Sequence, residues 1–189
     1  MPMRYFDLSD NMSIPGRWML GTPTDAHGQK VEDPWMFYRG QRLTDLGPLK
    51  LPVTVPGKAL DFSLAAFAAP VVHARVASVL SELAPEEVQT VPVAIEGQPD
   101  SFFILVSTQL IQCIDEQASR HIRKWTPEDG RPEKVGKYRN VRGMRINPSQ
   151  VGDAKVFRPQ GWAIALIVRE DIKETLDRIG ATGTTFEEV

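Results

Sequence analysis

Cys113 is the single cysteine of this 189-residue chain, and His27, His73 and His121 are its only histidines. A thiol with a distant imidazole is the minimum set for nucleophilic catalysis, since the imidazole can take the thiol proton. A reactive thiolate also needs a helix N-terminus or a cationic neighbour. Cys113 instead sits in the segment LIQCID, directly after an apolar run, where a buried structural thiol is the stronger reading. His73 follows Val72 on a predicted helix and reads as a side or core-edge residue. His27 adjoins Gly28 in a turn-rich stretch, and His121 lies among the cations Arg120, Arg123 and Lys124. A small hydrolase built on Cys113 or His73 is therefore only an outlying alternative.

The carboxylates give no better case for catalysis. Glu86-Glu87, Asp115-Glu116 and Glu187-Glu188 are adjacent pairs, and neighbouring side chains diverge on helices and strands alike. Asp115 followed by Ser119 has the spacing of a turn or helix cap. One cysteine excludes an internal disulfide and a multi-thiolate zinc site. Phosphate-cradling glycine loops, the G-x-S-x-G elbow, H-E-x-x-H and the EF-hand loop are all absent from the sequence. The chain reads as a binding protein and not an enzyme, with no cofactor and no metal expected.

Charge is the more informative feature. The whole chain has a formal net charge of −2, which argues against a strong general attraction to nucleic acid or anionic lipid. Between Arg120 and Arg145, however, nine basic residues face three acidic ones, giving +6 locally and −8 for the remainder. Trp125 and Tyr138 are interleaved there, so a nucleic-acid surface using Arg139, Arg142 and Arg145 is the second alternative. The opposite imbalance closes the chain, where Glu170, Asp171, Glu174 and Asp177 define an acidic helix face suited to a basic partner.

The elements that must position these residues follow from periodicity. Val72, Val76, Val79, Leu80 and Leu83 recur at helical spacing, predicting a helix over 69–83 that Pro85 stops. Ile172, Leu176 and Ile179 predict a second over 171–179, with Gly180 as a left-handed cap. Alternation over 88–95 and the apolar run 101–107 predict a hairpin, with Pro92 placing its strand at an edge or a bulge. Residues 140–146 read as a strand, and 154–157 with 162–168 as a pair around Pro159-Gln160-Gly161. Prolines and glycines punctuate the first 60 residues, so Tyr5-Phe6, Trp18 to Leu20, Trp35 to Tyr38 and Leu51 to Val55 read as short extended segments. The expected fold is α+β: an antiparallel sheet with two main helices and an irregular, strand-rich N-terminal third. Residues 1–65 form the turn-rich lobe and 66–189 the core, within one integrated domain. The first twelve residues lack a secretory pattern and no apolar run is long enough to span a bilayer, so a cytoplasmic location without membrane contact is expected.

From Val71 onward the sequence resembles a bacterial immunity-protein family of polymorphic toxin systems, immunity family eleven. The resemblance is carried, in order, by VHARVASVLSEL, APEEVQTVPVAI and FFILVSTQLIQCIDEQAS, then by AKVFRPQGWAIALIVREDIKETLDRIGATGTTFEEV. Within these, Asp115 and Ser119, Phe157-Arg158, and the closing Gly180, Thr182, Gly183 and Phe186 match the family's short motifs. What the resemblance implies is a protein that binds a cognate toxin encoded by a neighbouring gene and blocks its active site. Such toxins are often nucleases with positive clefts, which the acidic face at 170–177 would suit better than the basic segment. Nucleic acid is then an improbable ligand, and no catalytic residue is implied.

Overall fold

The computed structural model describes residues 3–189. Met1 and Pro2, which open the segment read above as non-secretory, lie outside the described residues. In chain order the strands are β1 (Tyr5–Asp10), β2 (Met19–Leu20), β3 (Leu49–Leu51), β4 (Val53–Val55), β5 (Phe62–Leu64), β6 (Pro70–His73), β7 (Val88–Ile95), β8 (Phe102–Ser107), β9 (Leu110–Ile111), β10 (His121–Lys124), β11 (Tyr138–Arg142), β12 (Val156–Pro159), β13 (Ile167–Arg169) and β14 (Thr184–Glu188). The helices are α1 (Ala74–Leu83), between β6 and β7, and α2 (Glu170–Arg178), between β13 and β14.

Two five-stranded sheets carry the fold, in the orders β14-β1-β13-β12-β9 and β3-β7-β8-β6-β5. Strand alternation lets each sheet serve two apolar layers at once. On β8, Phe102, Ile104 and Val106 enter one layer while Leu105 enters another; on β13, Ile167 and Val168 divide the same way. The shared middle layer takes Leu105 and Val168 from the two sheets, Val76 and Leu80 from α1, and Ile172 and Leu176 from α2. Each such aliphatic side chain stabilises the fold by about 1.5–3 kcal/mol relative to exposure. The outer layers are closed by the N-terminal third on one side, through Trp18, Phe37 and Leu51, and by residues 113–151 on the other.

The mixed α+β class and both helices agree with the sequence reading, but the sheets are partly parallel: β3 runs parallel to β7, and β9 to β12. The first helix also starts later than predicted. Pro70–His73 is strand β6, hydrogen-bonded between β5 and β8, because Val71 and Val72 fill opposite layers that are both buried. His73 is consequently no helix-face residue; its Nδ1 accepts from the Arg75 amide at 3.2 Å and caps α1. Trp35 to Tyr38 forms a short 3₁₀ turn and not an extended segment, since Pro34 begins it and the Asp33 carboxylate accepts from the Trp35 amide. The hairpin of β7 and β8 is as predicted. Pro92 sits where β3, which pairs only with Val93 to Ile95, leaves β7 uncovered.

The chain ends join the two sheets. β1 lies between β14 and β13, so the first strand is central to a sheet that the last strand completes. Gly183 O accepts from the Asn11 amide at 2.8 Å, while Thr182 O accepts from the Phe62 amide of the other sheet at 3.0 Å. Gly183 has φ +90°, and a Cβ there would lie 2.1 Å from the Phe62 carbonyl oxygen. Gly183→Ala should therefore lower stability by roughly 2 kcal/mol or more. Gly152→Ala, also at positive φ but with nothing within 4 Å, should cost only about 1 kcal/mol; thermal or urea unfolding of the two variants measures the difference.

Candidate functional site

The basic segment folds as a small sheet of its own. β10 and β11 pair antiparallel with a bulge that leaves Arg139 as the extra residue. The intervening loop is closed by local polar bonds: the Asp129 carboxylate accepts from the Thr126 amide at 3.0 Å, and Trp125 exchanges backbone bonds with Gly136 and Lys137. Trp125 is the anchor. Lys134 Nζ lies 4.9 Å and the Arg139 guanidinium 4.7 Å from its ring centroid, and Arg139 also pairs with Asp129. Tyr138 donates its hydroxyl to Glu116 at 2.8 Å, and Lys124 joins the same carboxylate at 2.6 Å. Burial and then this carboxylate push the Tyr138 phenol up to about 12.

Facing this hairpin are the 3₁₀ turn Pro34–Tyr38 and the loop Gly161 to Ile164. Together they enclose an open cleft of about 790 Å³, with Trp35, Tyr38 and Arg39 on one wall and Trp125, Lys134 and Tyr138 on the other. Gly161 lets the loop approach Tyr138, because its φ is +82° and a Cβ would stand 3.1 Å from the Tyr138 ring.

Arg158 holds that loop in place. Its side chain is fully buried, and Nη1 donates to the carbonyls of Ala163, Ile164 and Ala165 at 2.8, 3.3 and 3.3 Å. These bonds explain a further departure from the sequence reading. The strand expected to begin at Trp162 starts only at Ile167, because the carbonyls before it turn toward a guanidinium and not toward a neighbouring strand. The Tyr38 ring centroid lies 5.4 Å from the guanidinium carbon. Burial pulls the Arg158 pKa down to about 10, which leaves it cationic at neutral pH. Asp7, on the neighbouring β1, is pushed up to about 6 by burial; the Leu166 amide and Arg158 offset part of that rise.

The structure distributes the residues singled out in the sequence. Cys113 is fully buried, and burial pushes its thiol up to about 12. Asp115 and Ser119 form the expected turn: Asp115 accepts from the Gln117 and Ala118 amides, and Ser119 Oγ donates to the Asp115 carbonyl at 2.6 Å. Glu87 brackets β12 by accepting from the Lys155 and Val156 amides, and Glu188 pairs with Arg4. Of the acidic face, Glu170 pairs with Arg4, Asp171 with Arg169 and Asp177 with Lys173, while Glu174 is exposed. Arg139, Arg142 and Arg145 do not converge. Arg139 lies on Trp125, Arg142 is opposite His121 in the hairpin, and Arg145 donates to the Glu188 carbonyl at 2.7 Å. Among the described residues no group of three or more His, Cys, Asp or Glu side chains could hold a metal ion, and no helix is long and apolar enough to cross a membrane. Sequence reasoning missed Trp35, Tyr38, Trp162 and Ile164; only Trp125 and Tyr138, interleaved with cations, signalled the cleft in advance.

The family model that matches describes an immunity protein family (Imm11), and the match runs over residues 2–189. The chain belongs to the Imm11 immunity protein family. Membership thus takes in the N-terminal third as well as the segments after Val71 that carried the resemblance. Among curated proteins, none matches this Imm11 chain.

Two measurements check this description. Asp7→Asn should raise stability at pH 7–8, because the wild-type folded state then holds a half-buried carboxylate whose pKa is raised. That advantage should shrink as pH falls through about 6 toward 4, where wild-type Asp7 is already protonated. Cys113 should react with a thiol reagent only as fast as the protein unfolds, which stopped-flow labelling in native buffer and in denaturant will compare.

Proposed function

We propose that this protein protects the cell producing it by binding a cognate toxin, encoded by a neighbouring gene, and covering the toxin's active site. The observation that carries the reading is the Imm11 match over essentially the whole chain. The side-chain chemistry is compatible with inhibition by contact alone. Cys113 is sealed in the core, His73 caps a helix, and Glu87, Asp115 and Glu188 bind amides or an arginine of the same chain. A nuclease is the toxin class most in keeping with the sequence reading.

Neutralisation by occlusion needs slow dissociation, so buried aromatic and arginine anchors should dominate the interface energy. Co-expression with the neighbouring toxin gene should restore growth, and the two purified proteins should elute as one complex. Growth arrest despite a soluble, folded protein would sink the reading. Cys113→Ser should protect as well as wild type in the same assay; lost protection with unchanged melting would point to thiol chemistry instead.

A further inference from the structure

The cleft between the β10–β11 hairpin and the Pro34–Tyr38 turn has the chemistry of a protein-docking surface. Trp35 is 48% exposed, Phe67 43% and Ile164 50%, although each is large and apolar. Trp35 and Phe67 pack edge-to-face with ring centroids 5.1 Å apart, so the exposed aromatics form one patch that runs into the cleft. Phe67 is presented under strain: its φ is +60°, and Ala68 beside it has φ +56°. Two successive non-glycine residues in the left-handed region store backbone strain, which only a fixed loop path sustains. The short loop from Ala65 to Ala69 imposes this conformation, closed by an Ala65 N–H to Ala69 carbonyl bond of 2.9 Å.

Charge narrows the partner. The cleft is lined by Arg39, Arg131, Lys134 and Lys137 against Glu133 alone. Arg39 leans on Asp33, and Arg131 is only 3.9 Å from Glu133. Lys134 and Lys137 have no carboxylate partner within ion-pair distance among the described residues. We infer that this cleft is where the toxin docks, and that the docking segment carries carboxylates beside apolar side chains. The inference rests on the toxin-binding reading above, adds to it the surface and the sign of its charge, and departs from the nuclease expectation, whose positive cleft would fit the acidic face of α2 instead.

Single-stranded nucleic acid is the competing occupant, since aromatics with cations also suit bases and phosphates. Three features favour protein. A base stacking on Trp125 or Tyr138 would have to displace cations that already stand over these rings, Lys134 and Arg139 over the first and Lys124 over the second. Most cations around the cleft are already paired, Arg39 with Asp33, Lys124 with Glu116 and Arg139 with Asp129, which leaves Lys134 and Lys137 as a local pair of charges and not a track for a phosphate backbone. Ile164 and Phe67 continue the patch with apolar groups that a protein side chain can cover.

The test measures affinity of the full-length protein for the purified toxin of the neighbouring gene, by calorimetry, at two salt concentrations. Trp35→Ala and the double charge reversal Lys134→Glu, Lys137→Glu alter exposed or rim side chains, and circular dichroism with melting curves confirms that each folds. Each should weaken binding roughly ten-fold or more, and the charge reversal should also flatten the salt dependence. Glu174→Lys with Asp177→Lys on α2 should change affinity less than about two-fold. Toxin binding that is unchanged in both cleft variants, or lost only in the α2 variant, overturns the surface while leaving the function intact. Saturable binding of a single-stranded RNA, lost in the charge reversal while toxin affinity holds, would assign the cleft to nucleic acid. No binding of the toxin by the wild-type protein would overturn surface and function together.

Discussion

A guanidinium sealed inside the protein, that of Arg158, is the constraint on which the exposed cleft depends. Withdrawing such a charge from water costs several kcal/mol even after local relaxation. Three successive backbone carbonyls offset that cost from one nitrogen, the Tyr38 ring covers the group, and Asp7 supplies opposing charge nearby. Because the three carbonyls belong to consecutive residues, the loop before β13 has little choice of path. That path turns Ile164 outward and places Gly161 against Tyr138. The same arginine thus positions both the floor of the cleft and, through Tyr38, one of its walls.

Behind this site stands a scaffold tied at its two ends. β1 and β14 pair in one sheet, and the turn that precedes β14 binds β5 of the other. Asp10, at the end of β1, reinforces the same junction. Its carboxylate accepts from the Leu64 amide at 3.2 Å and forms a buried ion pair with Arg17 at 2.9 Å. Breaking one side of such a pair leaves a stranded charge and is far more damaging than losing a surface bridge. The acidic face of α2 has the opposite character, because its ion pairs are largely solvated and worth little individually. Rigid junction, fixed loop and exposed aromatics together give a pre-organised surface, which lowers the ordering cost of binding.

Much of this was legible from local pattern. The stripes at Val76 and Leu80 and at Ile172 and Leu176, the hairpin over 88–107, the Gly180 cap and the Asp115–Ser119 turn all depend on spacing within a few residues. Cys113 also read correctly, since an apolar flank is enough to predict a buried thiol. Where both faces of an element are buried, periodicity fails: Val71 and Val72 suit the start of a helix as well as a strand between two apolar layers. Trp35 failed for another reason. Nothing in a run of aromatics says which of them its neighbours will leave half exposed.

The sequence by itself determined the mixed class, the two helices, the buried cysteine and the uneven charge from Arg120 to Arg145. It also carried the family motifs, including Phe157-Arg158 and the final glycines, though not what they hold together. Only the tertiary structure decided that Arg158 faces the carbonyls of 163–165 and that Gly183 lies under Phe62. It alone decided that Trp35 and Trp125, ninety residues apart, share a cleft. Those are contacts between distant segments, chosen by how whole sheets pack, and no local spacing encodes them.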